Sequence, residues 1–188
     1  MASTGLPLIG IVLAGGRSSR MGRDKALLRW RGRTLLDHQL ETLRLAGVDQ
    51  ARVSGRRPEH NGIADPQPGA GPLGGLAGVA AAIQEDVNLL VVPVDMPLLS
   101  PELLRRLGRE NPAASCLRFA GKILPMRLRL DRTARSLLQQ RLGAERPGER
   151  SLHALQRDLN AAELALDETE ADQFVDCNTP AVWQEIGS

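Results

Sequence analysis

Two long apolar runs dominate the hydrophobic pattern of the chain. The first, Leu8–Ala14, stops at two glycines, and the second, Asn88–Val94, stops at Asp95. An apolar run without polar alternation is typical of a strand that is buried on both faces, as in a parallel sheet. We therefore expect two central strands, one followed by a glycine-rich segment and the other by a carboxylate.

Apolar residues at helical spacing lie between these strands. The segment Leu35–Leu45 carries apolar residues at helical spacing and is followed by Gly47, a typical C-cap residue. These residues are Leu35, Leu36, Leu40 and Leu43. Ser100 and Pro101 form an N-cap and first-turn pair, which predicts a second helix that runs to about Gly108.

The remaining segments complete an alternation of strands and helices. Further strands are expected at Ala51–Ser54, Ala113–Phe119, Leu124–Leu130 and Phe174–Asp176, and further helices at Leu76–Ile83, Thr133–Leu142, Ser151–Leu159 and Pro180–Ile186. This alternation predicts an α/β protein with a mostly parallel sheet and right-handed crossovers. The expected fold is one Rossmann-like domain of three layers over residues 1–188.

The composition is that of an ordinary globular protein. Hydrophobic residues make up 42% of the 188 residues, and a formal net charge of +2 gives no reason to expect nucleic acid or a membrane as a partner. No apolar run approaches the roughly 20 residues of a membrane span, and Met1–Leu8 lacks the features of a secretory signal. Cys116 and Cys177 match no metal-binding or redox spacing, so we expect buried or idle thiols in a cytoplasmic protein.

The segment Leu13–Lys25 has the composition of a phosphate-binding loop. It follows a predicted strand, and in an open α/β sheet ligands bind beyond the carboxyl ends of strands. Gly15 and Gly16 allow close approach of the backbone to phosphate oxygens, and Arg20 and Lys25 supply positive charge. The spacing matches neither a Walker A loop nor a dinucleotide-binding motif. The alternative is a basic surface turn.

The basic residue at the end of this loop is unusual for the chain. Lys25 and Lys122 are the only lysines in a sequence that otherwise uses arginine. An ammonium group is a compact charge, whereas a guanidinium group is a planar fork. A lysine at this position therefore suggests that an arginine would not serve, although one of two lysines can fall there by chance.

Asp95 is the candidate metal ligand. It follows the second predicted strand, and Mg²⁺ is commonly held by one or two carboxylates together with substrate phosphates. The alternative is a helix cap, but Ser100 is the better cap for the helix that begins at Pro101.

The segment Asp65–Gly78 is interpreted as a loop because it is too rich in glycine for a helix interior. It is either a flexible connection or a base pocket. In a base pocket, the backbone groups of Gly71, Pro72 and Leu73 would contact a purine edge, and Gly75 and Gly78 would allow close approach.

Taken together, Leu13-Ala14-Gly15-Gly16, Ser19-Arg20-Met21-Gly22 and Asp24-Lys25 resemble the signature of the nucleotidyltransferases that build molybdenum cofactor dinucleotides. The chain most resembles the molybdenum cofactor guanylyltransferase family. The likeness is strongest over residues 11–38, 65–78, 89–103 and 174–183. The first of these stretches is shared with sugar-nucleotide and isoprenoid nucleotidyltransferases, so by itself it indicates the chemistry and not the substrate.

The resemblance implies Mg²⁺-dependent transfer of GMP from GTP to the phosphate of the molybdopterin cofactor, with release of pyrophosphate. It implies that Lys25, Arg20 and Asp95 are catalytic, with Asp95 holding the metal, and that the segment beginning at Asp65 contacts guanine and ribose. Ser54 departs from the Asn that relatives often carry on the strand predicted at Ala51–Ser54. The implied nucleotide-binding residues are Leu13, Ala14, Gly15, Gly16, Lys25, Asp65, Gly71, Pro72, Leu73 and Asp95.

The C-terminal half would form the acceptor side. Residues of about 7–110 are expected to bind the nucleotide and residues 111–188 the pterin. Asn178 and Arg150 are candidate contacts on that side by resemblance. Their alternatives are a helix start at Asn178-Thr179-Pro180 and a surface turn at Gly148–Arg150.

Two other functions remain open. The first is a cytidylyltransferase or sugar-phosphate nucleotidyltransferase on the same fold, and the second is a nucleotide-binding protein without catalysis. The expected partners are GTP and the molybdopterin cofactor. The protein is expected to be a monomer that makes transient contacts with molybdenum cofactor proteins.

Overall fold

A computed structural model of the chain describes residues 5–15, 24–146, 148–177 and 182–183. Eight strands lie within these ranges. In chain order they are β1 Leu8–Leu13, β2 Arg29–Trp30, β3 Arg33–Thr34, β4 Gln50–Ser54, β5 Val87–Pro93, β6 Cys116–Phe119, β7 Met126–Leu130 and β8 Ala162–Leu164.

Six α-helices lie within the same ranges. They are α1 Leu35–Ala46, α2 Gly71–Ala82, α3 Pro101–Arg109, α4 Arg132–Leu142, α5 Leu152–Asp158 and α6 Glu168–Ala171. Three single turns of 3₁₀ helix, at Lys25–Leu27, Pro58–His60 and Asp172–Phe174, accompany them. No helix in the described ranges is long and apolar enough to cross a membrane.

Six of the strands form one mixed, mostly parallel sheet in the order β4-β1-β5-β7-β6-β8. The pairs β1–β4, β1–β5 and β6–β8 are parallel, whereas β7 runs antiparallel to both of its neighbours. Five strands therefore point the same way, and their carboxyl ends lie at one edge. The predicted α/β fold with a mostly parallel sheet is confirmed.

The sheet separates two hydrophobic cores, which gives the expected three layers. Successive side chains of a strand point to opposite faces, and β5 follows this rule. Its residues Leu90 and Val92 pack into the core beneath α1 and α3. Leu89 and Val91 pack into the core beneath α2, α4 and α5. Since β5 is buried on both faces, it reads as a continuous apolar run.

Two of the predicted helix boundaries are formed as the sequence indicated. Gly47 caps α1 with φ = 90°, a left-handed conformation that glycine adopts at little cost. The Ser100 hydroxyl accepts a hydrogen bond of 3.2 Å from Leu103 N at the start of α3. Asp95 is therefore not needed as the cap of this helix.

The predicted loop at Asp65–Gly78 is wrong beyond residue 70, because α2 begins at Gly71 and not near Leu76. Close packing against the preceding segment requires glycine at two positions of α2. A Cβ on Gly78 would lie 2.5 Å from the Ala64 carbonyl oxygen, and a Cβ on Gly74 would lie 2.6 Å from both Asp65 carboxylate oxygens. The helix accepts the entropic cost of glycine because a larger residue would not fit against the preceding segment.

The predicted strand at Phe174–Asp176 is also wrong. Phe174 ends a 3₁₀ turn, and its ring packs edge-on against Phe119 with 5.5 Å between centroids. The sheet position beside β6 is taken by β8, which the sequence did not reveal. Most of the predicted helix Pro180–Ile186 lies outside the described residues, of which Val182 and Trp183 are helical.

Candidate active site

The candidate site lies where three parallel strands end together. The backbone N–H of Ala14, just after β1, donates to the Ser54 carbonyl at the end of β4 over 2.9 Å. The N–H of Val94, just after β5, donates to the Leu13 carbonyl over 3.3 Å. The segments that leave β4, β1 and β5 therefore lie side by side at the carboxyl edge, where an open α/β sheet binds its ligands.

Lys25 and Asp95 meet at this edge. Their Nζ and Oδ2 atoms are 2.9 Å apart, and their side chains are 16% and 20% exposed. The two residues were predicted separately from a loop and a strand end, and the structure brings them together. A charge-assisted contact in this half-buried setting is stronger than one at an open surface, because water screens it less.

The turn that carries Lys25 has a cap of its own. Asp24 accepts a hydrogen bond of 3.1 Å from Ala26 N through its side chain, and thereby caps the turn Lys25–Leu27. The Ala26 side chain is buried in the first core. The residues before and after Lys25 are therefore both held in place, Asp24 by its capping hydrogen bond and Ala26 by burial.

Cys177 contacts the backbone of Asp95. Its N–H donates to the Asp95 carbonyl over 2.8 Å. Burial, and secondarily the negative charge of Asp95, raise the pKa of the Cys177 thiol to about 12. Burial also raises the pKa of Cys116 to about 12. Both cysteines are free and buried, as expected, and neither is a thiolate nucleophile at neutral pH.

The residues around Asp95 fit Mg²⁺ only in a shared site. No group of three or more His, Cys, Asp or Glu side chains that could hold a metal occurs among the described residues. Asp95 offers one carboxylate, and Mg²⁺ is commonly bound by one or two carboxylates with substrate phosphates and waters. The donor set therefore suits a metal that arrives with a nucleotide, and it does not suit a resident structural ion.

Two adjacent cavities lie at this edge. The larger has a volume of about 530 Å³, within the usual range for small-molecule sites. Its lining residues are Leu13, Gly15, Ser54, Gly55, Arg56, Asp65, Pro68, Gly69, Gly71, Pro72 and Gly75. The smaller, of about 200 Å³, is lined by Leu13, Ala14, Gly15, Asp24, Lys25, Ala26, Pro72, Pro93, Val94, Asp95 and Leu124. Leu13, Gly15 and Pro72 belong to both cavities.

The beginning of α2 changes how the predicted base pocket must work. Gly71 and Pro72 line the larger cavity, but the Leu73 side chain is only 1% exposed and packs into the second core. The first N–H groups of a helix have no intrahelical partner, whereas its first carbonyls are bonded within the helix. Since Pro72 has no N–H, backbone donors at this helix start would come from Gly71 and Leu73. The contact of this segment with a base stays a prediction.

Asp65 lies opposite this helix start. Its Oδ1 accepts a hydrogen bond of 2.7 Å from Gln67 N, and the residue lines the larger cavity. The Ser54 hydroxyl is buried at the end of β4 and has no hydrogen-bond partner within the described residues. The cavity therefore combines a carboxylate with a polar group that is not yet satisfied.

Three of the predicted site residues, Gly16, Arg20 and Asn178, lie outside the described residues. Arg150 is exposed, just before the N-cap residue Ser151 of α5, and it lines neither of the two cavities. Its role stays a prediction.

Sequence reasoning missed Arg57. Its guanidinium forms a two-pronged ion pair with Asp24, and it also donates to the Ala14 carbonyl over 3.1 Å. The hydrogen bond from Arg57 holds the pKa of the Asp24 carboxyl below its usual value. The available signal was the pair Arg56-Arg57, which follows β4 after one glycine and so lies at the same sheet edge as the loop Leu13–Lys25.

The mostly parallel sheet, with Lys25 and Asp95 together at its carboxyl edge, is the arrangement expected of a nucleotidyltransferase. Comparison with known proteins agrees with this class. The chain belongs to the MobA-like NTP transferase domain family, whose model matches residues 10–162. The resemblance drawn from the sequence motifs is confirmed.

One relative and two solved structures match nearly the whole chain. A molybdenum cofactor guanylyltransferase from Xanthomonas euvesicatoria pv. vesicatoria is 49% identical over 180 residues, which are 96% of this chain and 94% of the relative. The solved structure of molybdopterin-guanine dinucleotide biosynthesis protein A from Archaeoglobus fulgidus has a TM-score of 0.75 at 20% identity, over 95% of this chain and 96% of that one. A Mycobacterium tuberculosis protein in complex with manganese has a TM-score of 0.66 at 22% identity, over 96% and 98% of the two chains.

Proposed function

We propose that this protein transfers GMP from GTP to the phosphate of the molybdopterin cofactor, with release of pyrophosphate and with Mg²⁺. The observation that carries the chemistry is the contact of 2.9 Å between Lys25 and Asp95, which both line the smaller cavity. The identity of 49% with a molybdenum cofactor guanylyltransferase supports the choice of substrates.

The reaction asks for positioning and charge more than for covalent chemistry. A phosphate of the acceptor attacks the α-phosphorus of GTP in line, the new phosphorus–oxygen bond forms, and the bond to the leaving pyrophosphate breaks. The attacking phosphate is already ionised near neutral pH, so no general base is required. Holding the two phosphates in line supplies much of the acceleration.

Lys25 would hold the β- and γ-phosphates and stabilise the charge that develops on pyrophosphate. Gly15, at the end of β1, would bring its backbone N–H towards the same phosphates. Gly16 and Arg20 are proposed to assist there. The N-terminus of α2 would add N–H donors and the positive end of a helix dipole.

Asp95 would hold the divalent ion together with phosphate oxygens of GTP. Mg²⁺ bound there would neutralise phosphate charge and orient the reacting groups. The manganese complex of a structural neighbour supports a divalent ion in this fold. The Asp95 backbone is fixed by the hydrogen bond from Cys177 N, so its carboxylate is offered from a rigid support.

Asp65 is proposed to select guanine. The Watson–Crick edge of guanine carries two neighbouring N–H donors, and a carboxylate accepts both. Adenine presents an acceptor at the corresponding ring nitrogen, which a carboxylate repels. Because Asp65 lines the larger cavity, the base would lie there and the phosphates would lie in the smaller cavity beside Lys25.

The acceptor is proposed to bind on the side formed by residues 111–188, where Arg150 and Asn178 are candidate contacts. Incubation of the full chain with GTP, Mg²⁺ and molybdopterin tests the function, with detection of pyrophosphate and of the dinucleotide. Parallel reactions with CTP, UTP and ATP test the base. Equal rates with GTP and CTP would reject the guanine assignment, and a clear preference for CTP would indicate a cytidylyltransferase. Nucleotide binding without product would indicate a non-catalytic protein.

A further inference from the structure

Arg57 joins two distant points of the chain beside the proposed phosphate site. Its side chain is 13% exposed, although it lies only three residues beyond the end of β4. One guanidinium nitrogen, Nη2, donates both to the Ala14 carbonyl at 3.1 Å and to Asp24 Oδ1 at 2.7 Å. The other, Nη1, donates to the second oxygen of Asp24.

The two residues that accept hydrogen bonds from Arg57 lie near the two ends of the loop Leu13–Lys25. Ala14 is the residue that follows β1, and Asp24 precedes Lys25. Asp24 also accepts from Ala26 N over 3.1 Å, so its carboxylate is shared between Arg57 and the turn that carries Lys25. A continuous line of polar contacts therefore leads from β1 through Arg57 and Asp24 to the Lys25 turn.

The geometry of Arg57 suits a residue that holds Asp24 in a fixed position. A guanidinium group presents its donors in a fixed planar fork, so a two-pronged carboxylate contact sets orientation as well as distance. Arg57 lines neither of the two cavities among the described residues, whereas its neighbour Arg56 lines the larger one. This placement favours a role of Arg57 in holding the protein over direct contact with the nucleotide.

The charges around Arg57 support a persistent ion pair. The hydrogen bond to Asp24, and further the charges of Asp24 and Glu59, raise the pKa of the Arg57 guanidinium. The same hydrogen bond lowers the pKa of Asp24. Both partners stay ionised throughout the neutral range, so the contact is available whenever the nucleotide binds.

We propose that Arg57 is a positioning residue of the active site, which fixes Asp24 against the end of β1 and so sets where the Lys25 ammonium meets the nucleotide phosphates. This inference rests on the proposed function, since it assumes that Lys25 binds phosphates. It predicts that Arg57 affects GTP binding only through the position of Lys25.

A double-mutant cycle on GTP affinity tests the assignment. The four proteins are wild type, Arg57→Lys, Lys25→Ala and the double variant, and the GTP dissociation constant is measured with Mg²⁺ present. Lys25→Ala should weaken binding about tenfold or more, as expected for loss of a hydrogen bond between charged groups. Arg57→Lys keeps the charge but loses the fork, and should weaken binding several-fold in the wild-type background. In the Lys25→Ala background it should change affinity by less than about twofold, because interacting residues give non-additive effects.

Arg135→Lys is the matched control. Arg135 also binds several backbone carbonyls, those of Ala80, Ile83 and Glu85, but near the start of β5 and at the opposite edge of the sheet. This variant should lower the unfolding temperature without changing GTP affinity. Equal effects of Arg57→Lys in both Lys25 backgrounds, or an affinity loss that merely follows the loss of unfolding temperature, would overturn the proposal.

The outcomes separate this inference from the proposed function. Coupling between Arg57 and Lys25 in GTP affinity, with no dinucleotide formed by wild type, would reject the guanylyl transfer and keep the positioning role. Dinucleotide formation without coupling between Arg57 and Lys25 would keep the guanylyl transfer and reject the positioning role. Where turnover is measurable, Arg57→Lys should lower kcat about tenfold, because a misplaced charge loses transition-state stabilisation.

Discussion

The side chains of Lys25 and Asp95, 70 residues apart in sequence, meet at 2.9 Å between Nζ and Oδ2. Each is thereby held by the other at the edge where β1 and β5 end. A pair of this kind keeps the ammonium at a fixed place before any phosphate reaches it, so less reorganisation is needed when charge develops.

Asp95→Asn should abolish turnover and leave the protein folded. The amide keeps the shape of the side chain but loses the negative charge that would bind Mg²⁺. We expect kcat to fall by at least about 10²–10³, as for loss of a principal electrostatic group. Glu102→Gln, at a 75% exposed carboxylate of α3, is the matched control and should keep full activity. Steady-state rates and circular dichroism measure both, and wild-type rates in Asp95→Asn would reject the metal role.

Lys25→Arg should lose most of kcat with a modest change in GTP affinity. The guanidinium keeps the charge, but its planar fork does not fit a position that suits a compact ammonium. The expected loss is about 10²-fold, and kcat and kcat/KM should fall together. Lys122→Arg is the control: the Lys122 ammonium lies 5.0 Å from the centre of the Phe174 ring, a contact that arginine makes equally well. A fully active Lys25→Arg protein would refute the inference drawn from the scarcity of lysine.

Asp65→Asn should relax base selection. An amide offers one acceptor and one donor group, so it cannot accept both N–H groups of guanine. We expect kcat/KM for GTP to fall about 10²-fold, in line with the cost of an unpaired polar contact at a recognition site. The values for ATP and CTP should change much less. Competition assays with the four nucleotides decide this, and unchanged preference for GTP would exclude Asp65 from the base site.

Gly78→Ala should destabilise the protein although alanine favours helices over glycine by about 1 kcal/mol. The new Cβ would lie 2.5 Å from the backbone oxygen of Ala64, and a backbone atom cannot rotate away. Overpacking of this kind costs about 1–3 kcal/mol. Gly143→Ala, where the nearest atoms would be 3.7 Å from the added Cβ, should be neutral. Urea unfolding compares the two, and equal stability of both variants would contradict the packing argument.

Alkaline pH should destabilise the fold through its two thiols. Burial raises the pKa of Cys116 and of Cys177 from 9.0 to about 12, so the unfolded chain loses these protons at lower pH than the folded one. The stabilisation is complete below about pH 9 and is lost as the pH rises from 9 towards 12. Each thiol should cost about 1 kcal/mol between pH 8 and pH 10. The variant with Cys116→Ala and Cys177→Ala should show a smaller loss in urea unfolding under reducing conditions. An identical pH dependence would show that the thiols do not titrate as stated.

The strand ends were predictable because their signals are local. A continuous apolar run marks β1 and β5, and the residues proposed to carry the chemistry follow these runs. The rule that parallel strands end at one edge then places Lys25 and Asp95 together without knowledge of contacts. The caps of α1 and α3 were predictable for the same reason, since Gly47 and Ser100 act on their own backbone.

The start of α2 was not predictable from its own residues. Glycine lowers helix propensity, and the reason for Gly74 and Gly78 lies elsewhere, in Asp65 and the Ala64 carbonyl. The pairing of Arg57 with Asp24 joins residues 33 positions apart in a chain rich in arginine, and no periodic pattern marks it. β8 is three residues long, too short for alternation to distinguish it from a loop.

Pro72, at the first turn of α2, belongs to the walls of both cavities. A nucleotide bound as proposed would straddle this residue, with the base on one side and the phosphates on the other. A base of the wrong size that tilts α2 would therefore also displace the phosphates from Lys25. We expect poor nucleotides to be discriminated twice, once by weaker binding and once by slower transfer, so that fidelity exceeds what base affinity alone provides.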